Sequence, residues 1–109
     1  MKKRVIIRTQ FSAIHHWPDC PIEEVVYLRS PHRHTFYLEL KFDISHNDRD
    51  IEFISLKNKI AKDISKHWEG ANIGRRSCED IAEEFMNHYD AVYVSVFEDN
   101  ENGAELEKV

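Results

Sequence analysis

The stretch that decides the fold is residues 32–43, which read HRHTFYLELKFD. After the two histidines, apolar and polar side chains alternate, so that Phe36 and Leu38 share one face and polar side chains take the other. Because successive side chains of a strand point to opposite faces, this period predicts a β-strand with one buried face. His32 and His34 continue the apolar face, which predicts that both imidazoles lie at the edge of the core.

The rest of the chain predicts further strands and two helices. Val, Ile, Phe and Thr favour strands, apolar residues at helical spacing favour helices, and prolines mark a loop. Ser77 with Asp80 three residues later is a relative of the capping box that begins helices. The predicted order is strand 4–14, loop 16–31, strand 32–44, helix 52–68, a helix from Ser77, strand 91–97, a turn at 99–103 and a short strand or tail at 104–109.

This order predicts one α+β domain spanning residues 1–109. The expected architecture is a four-stranded antiparallel sheet with both helices packed on one face. Tyr37 and Tyr93 would then lie on the uncovered face, which is less polar than a solvated surface, and two strand edges would be open. Association of subunits, for example into a closed barrel, would cover both features.

Composition narrows the function classes. The chain has 109 residues and a formal net charge of −5, which argues against a general nucleic-acid-binding protein with a basic face. Its two cysteines lie far apart and form no CxxC pair, so a reducing cytoplasm is expected. No apolar run is long enough for a signal peptide or a membrane span. We therefore expect a soluble cytoplasmic protein without a nucleic-acid or membrane partner.

Three histidines suggest a metal site. His32 and His34 are two residues apart on one strand and so face the same way. If the strand ending at His15 pairs with this one, a third imidazole joins them. Three neutral imidazoles with an open fourth position form the ligand set of a catalytic zinc site rather than a closed structural one. Zinc is therefore the expected cofactor.

Several motifs, in order, resemble those of the 6-pyruvoyltetrahydropterin synthase and 6-carboxytetrahydropterin synthase family. The family pieces are F-x-A-x-H, H-G-H, an acidic-Phe start of the first helix, T-S-E-x-L-A and V-x-V-x-E. The matching segments here are 11–15 (FSAIH), 32–34 (HRH), 51–57 (IEFISLK), 77–82 (SCEDIA) and 94–98 (VSVFE).

The resemblance implies a tunnelling fold, in which subunits join their sheets into a barrel, and a homo-oligomer, expected to be a hexamer. It also implies that the three histidines hold zinc and that the substrate is dihydroneopterin triphosphate or a related pterin. The products would be tetrahydropterins or deazaguanines of the kind used in queuosine biosynthesis. Glu98 would anchor the pterin ring, and Glu79 is a second candidate for substrate binding.

The family's catalytic base is usually a cysteine four residues before H-G-H, and here that position is Leu28. His67 or Cys20 could replace it, so both are candidate catalytic residues. Three alternatives therefore stay open. The first is a zinc-dependent lyase acting on pterins, and the second is a non-catalytic member that binds a purine- or pterin-like ligand at subunit interfaces. The third, weaker one is a metalloenzyme acting on another phosphorylated substrate.

Overall fold

The computed structural model describes all 109 residues and contains four strands, two α-helices and one 3₁₀ helix. Most bounds lie close to those predicted from the sequence. The elements are β1 (Arg4–His15), the 3₁₀ helix (Glu23–Arg29), β2 (His32–Asp43), α1 (Phe53–His67), α2 (Cys78–Tyr89), β3 (Tyr93–Glu98) and β4 (Asn102–Glu107).

The four strands form one antiparallel sheet in the order β1-β2-β3-β4. In the register of the first pair, His15 lies opposite His32 and Ala13 lies opposite His34. In the second pair, Phe36 lies opposite Glu98. Side chains at these positions alternate in phase, so the three histidines and Glu98 share the face that carries the core.

Both α-helices pack on that same face of the sheet, which confirms the predicted α+β arrangement. Ile60 and Ile64 from α1 and Ile81 and Phe85 from α2 are buried together with the inward side chains of the strands. The opposite face carries no helix. Phe97 is 37% exposed there, although Ser95 beside it is buried. None of the helices is both long and apolar enough to cross a bilayer.

The helix starts follow the capping signals in the sequence. The Glu52 carboxylate accepts hydrogen bonds from the backbone N–H groups of Ile54 and Ser55, each at 3.0 Å, and so caps α1. At α2, Ser77 and Asp80 form the reciprocal pair of hydrogen bonds of a capping box. Because each pair satisfies N–H groups that have no partner within the helix, both starts are locally determined.

The loop between the helices runs along the outer edge of β1 and brings α2 close to the histidines. Backbone hydrogen bonds join Ile14 N–H to the carbonyl of Ala71 and Ile73 N–H to the carbonyl of Ile14, at 2.9 and 2.8 Å. A third joins His16 N–H to the carbonyl of Gly74. These bonds fix the chain that leads into the start of α2 beside His15.

Two local expectations need correction. Residues 16–31 are not wholly irregular, because Glu23–Arg29 forms a 3₁₀ helix between the two prolines and β2. The expected turn at 99–103 ends sooner, because Asn102–Glu107 already pairs with β3 as a fourth strand. Short polar strands give little periodic signal, and this one is formed because β3 offers it an open edge.

Candidate metal centre

The three predicted histidines converge at one end of the β1–β2 pair. Their nearest side-chain nitrogens all lie within 4.8 Å of one another, so the group could hold a metal ion. The ring centroids of His15 and His32 are 4.7 Å apart, and those of His32 and His34 are 4.9 Å apart. The strand register places the rings, because His15 and His32 are direct partners across the sheet.

Each ring is held through its Nδ1 atom. The acceptors are the backbone carbonyl of Arg76 for His15 at 2.8 Å, the backbone carbonyl of Ser30 for His32 at 2.8 Å and the Asp99 carboxylate for His34 at 2.6 Å. A carbonyl or carboxylate oxygen can only accept, so these contacts favour the tautomer with the hydrogen on Nδ1. The lone pair is then left on Nε2. Metal-binding histidines almost always have this arrangement, in which one ring nitrogen donates to an oxygen and the other nitrogen binds the metal.

The surroundings of His15 are those expected of a metal ligand. Its side chain is nearly buried, and its Nε2 atom has no hydrogen-bond partner. Burial lowers the pKa of His15, which favours the neutral imidazole that metals bind. An unsatisfied buried polar atom costs about 1–3 kcal/mol. A metal ion on Nε2 would remove that cost, so the donor set fits a metal.

Glu98 faces the same point from the end of β3. Its two carboxylate oxygens lie 3.5 Å from His15 Nε2 and 3.3 Å from His34 Nε2. With the hydrogens on Nδ1, oxygen and nitrogen lone pairs face each other there, and a cation between or beside them would relieve the repulsion. Cys78 lies behind this carboxylate, with Sγ 3.7 Å from Oε1. Burial and the Glu98 charge raise the pKa of Cys78 to about 12.

A cavity of about 790 Å³ opens beside the candidate metal centre and is lined by His15 and His32 of its three histidines. Both predicted substrate-binding residues, Glu79 and Glu98, line it, and so does Leu28. Arg75 also lines this cavity and makes an ion pair with Asp19 at 3.2 Å. The cavity therefore combines part of the candidate metal centre with three carboxylates, Glu79, Asp80 and Glu98, and two guanidinium groups, Arg75 and Arg76.

The two candidate catalytic residues lie elsewhere within the chain. His67 ends α1 and lines a second cavity, together with Asp63 and Trp68. Cys20 is fully buried, and its Sγ atom faces the carbonyl oxygens of Ile22 and Val25 at 3.8 Å each. Neither side chain lines the cavity over the histidines.

Three residues of this region escaped the sequence analysis. His16 lines the cavity, and its Nδ1 atom is buried without a partner. Cys78, one residue before Glu79 in the segment SCEDIA, also lines the cavity. Asp99 follows Glu98 in a turn, where no periodic pattern predicts the direction of a side chain.

A comparison with protein-family models found no match for this chain, and a comparison with characterised proteins found no significant similarity.

Proposed function

We propose that this protein is a zinc-dependent lyase of the 6-carboxytetrahydropterin synthase type, acting on dihydroneopterin triphosphate or a related pterin. The observation that carries the proposal is the convergence of three imidazoles whose Nδ1 atoms are all anchored, with their ligand nitrogens within 4.8 Å of one another. The order of the motifs that resemble this family adds the substrate class.

Zinc is the metal that suits this ligand set. Imidazole nitrogen is a preferred ligand of zinc, and three protein ligands with a free position are typical of catalytic zinc sites. His15, His32 and His34 would hold the ion. Bound there, zinc would supply Lewis acidity to a substrate oxygen and so favour loss of a proton from the neighbouring carbon.

The chain's own carboxylates would position the substrate. Glu98 presents two oxygens to the cavity, and a carboxylate can accept hydrogen bonds from two ring N–H donors at once. Glu79, at the start of α2, is exposed and lines the same cavity. Arg75 offers a guanidinium to phosphate oxygens on the open side, although it must then exchange its contact with Asp19.

Neither of the two proposed proton-transfer residues, His67 and Cys20, lines the cavity of a single chain, and Leu28 occupies the place of the family's base. His67 is exposed at the end of α1 and could serve a neighbouring subunit. Cys20 is the second candidate, but its thiol would have to leave a fully buried position. The uncovered face of the sheet, with the partly exposed Phe97, supports assembly into the hexameric barrel of a tunnelling fold.

A second function, binding without catalysis, is favoured by one specific observation. Leu28 lines the cavity at the position of the family's base, whereas neither His67 nor Cys20 does. Such a protein would hold a purine- or pterin-like ligand through Glu98 at subunit interfaces.

The deciding experiment incubates the zinc-loaded protein with dihydroneopterin triphosphate and follows inorganic triphosphate release by chromatography. Release that disappears in His34→Ala and after chelation supports the lyase. His67→Ala and Cys20→Ala then identify the base, because only the residue that transfers the proton should be required. If the pterin binds and no triphosphate appears, the lyase proposal is wrong and the binding function replaces it.

A further inference from the structure

Two consecutive carboxylates contact the two nitrogens of the same histidine. Asp99 Oδ2 lies 2.6 Å from His34 Nδ1, and Glu98 Oε2 lies 3.3 Å from His34 Nε2. Neighbouring residues of a regular strand point to opposite faces and could not reach one ring in this way. The chain must therefore change direction between them.

The change of direction comes from the turn between β3 and β4. Asp99 and Asn100 both have positive φ values, 51° and 58°, and the N–H of Glu101 donates to the carbonyl of Glu98 at 2.9 Å. Positive φ is unfavourable for residues other than glycine, although Asp and Asn tolerate it best. The left-handed turn swings the Asp99 side chain back toward β2.

Hydrogen bonds to β2 then fix the Asp99 carboxylate. Its second oxygen, Oδ1, accepts from the N–H of Thr35 at 3.0 Å, and the N–H of Asp99 donates to the carbonyl of Thr35 at 2.7 Å. Both carboxylate oxygens are thus used by the two consecutive residues His34 and Thr35.

We propose that Asp99 is the positioning residue of the metal centre. It holds His34 as the Nδ1–H tautomer with Nε2 directed to the metal, and its negative charge makes this imidazole a stronger donor. His15 and His32 are held by neutral backbone carbonyls, which no side-chain substitution removes. His34 is therefore the ligand whose orientation depends on a side chain. The inference rests on the metal centre of the proposed function, and it is independent of the pterin chemistry.

Asp99→Asn tests the proposal with almost no change of volume. The single amide oxygen can accept a hydrogen bond from His34 Nδ1–H or from Thr35 N–H, but not from both. The amide NH₂ group would then face the remaining N–H, and two donors cannot form a hydrogen bond. We expect zinc affinity, measured by competition with a chromophoric chelator at fixed pH, to fall about 10–100-fold. In the metal-free variant, two-bond ¹H–¹⁵N spectra should show His34 gaining the Nε2–H tautomer. Glu101→Gln is the matched control, because it removes one charge from the same turn and should leave both readouts unchanged.

The outcomes separate this inference from the proposed function. If the wild-type protein binds zinc and Asp99→Asn binds it equally well with His34 still in the Nδ1–H tautomer, the inference is wrong while the metal centre stands. If the wild-type protein itself binds no zinc, the proposed function fails as well. Should Asp99→Asn not fold, the metal-free wild-type protein decides: a hydrogen on His34 Nδ1, whether or not Nε2 also carries one, supports the role of Asp99, and a ring with its hydrogen on Nε2 alone overturns it.

Discussion

Zinc should stabilise this fold by an amount that can be calculated in advance. A ligand at a hundred-fold excess over its Kd adds about 2.7 kcal/mol to the free energy of unfolding. An unfolding entropy of about 2.1 cal/mol/K per residue gives about 0.23 kcal/mol/K for 109 residues. The midpoint of thermal unfolding should therefore rise by about 12 °C between the chelated and the zinc-loaded protein. The buried, unpartnered Nε2 of His15 makes the metal-free form the less stable one.

The assay is thermal unfolding followed by far-UV circular dichroism, with and without chelator. His15→Ala should abolish the rise in the midpoint, because it removes one of three ligands. His88→Ala is the matched control, since this histidine is largely exposed on α2 and should leave the rise intact. An unchanged midpoint in the wild-type protein, or an equal loss of the rise in both variants, would refute the reasoning.

Three further predictions concern the fold that holds the site. Phe36→Ala should lower the free energy of unfolding by about 3–5 kcal/mol in urea denaturation, since its ring is fully buried, whereas Phe53→Ala, at 56% exposure, should change it far less. Gly103→Ala should destabilise by about 1–3 kcal/mol, because a Cβ there would overlap the backbone of β3. Tyr89→Phe should destabilise the protein more at pH 7 than at pH 2. The Tyr89 hydroxyl donates to Asp63 at 2.6 Å and lowers the pKa of that carboxyl below its usual 3.8. The contribution of this hydrogen bond to stability is therefore present above pH 3.8 and is lost as the pH falls through the folded-state pKa.

Each of these has a contrary result. Equal losses for the two phenylalanine variants would mean that the core is not centred where the sheet and helices meet. An unchanged free energy of unfolding in Gly103→Ala would mean that β3 and β4 can move apart without loss of stability. A difference between Tyr89→Phe and the wild-type protein that stays constant with pH would mean that the hydrogen bond does not favour the ionised carboxyl.

The sequence predicted those parts of the fold that depend on local patterns. The alternation in residues 32–43 predicted β2, and Ser77 with Asp80 predicted the start of α2, because strand period and capping act over a few residues. The histidine group followed from one assumption, the pairing of β1 with β2, which the register of His15 with His32 bears out. Glu98 lies on the core face because it continues the series of inward residues of β3.

The remaining features of the site depend on contacts between distant segments. Asp99 reaches His34 through a left-handed turn, and a residue type alone does not predict positive φ. His16 enters the cavity because the chain leaves the strand after His15, so the strict alternation no longer applies. Cys78 meets Glu98 only because the loop between the helices is bonded to β1. These are tertiary effects, and no local pattern in the sequence encodes them.

Zinc-edge X-ray absorption of the metal-loaded protein tests the central claim most directly, when combined with the metal content per chain. The account predicts one zinc per chain, bound by three imidazole nitrogens at about 2.0–2.1 Å and by a light atom at the remaining position. Loss of zinc in His15→Ala and His34→Ala would identify the ligands. Substoichiometric zinc, or a sulfur shell at about 2.3 Å from a cysteine, would contradict the three-histidine centre.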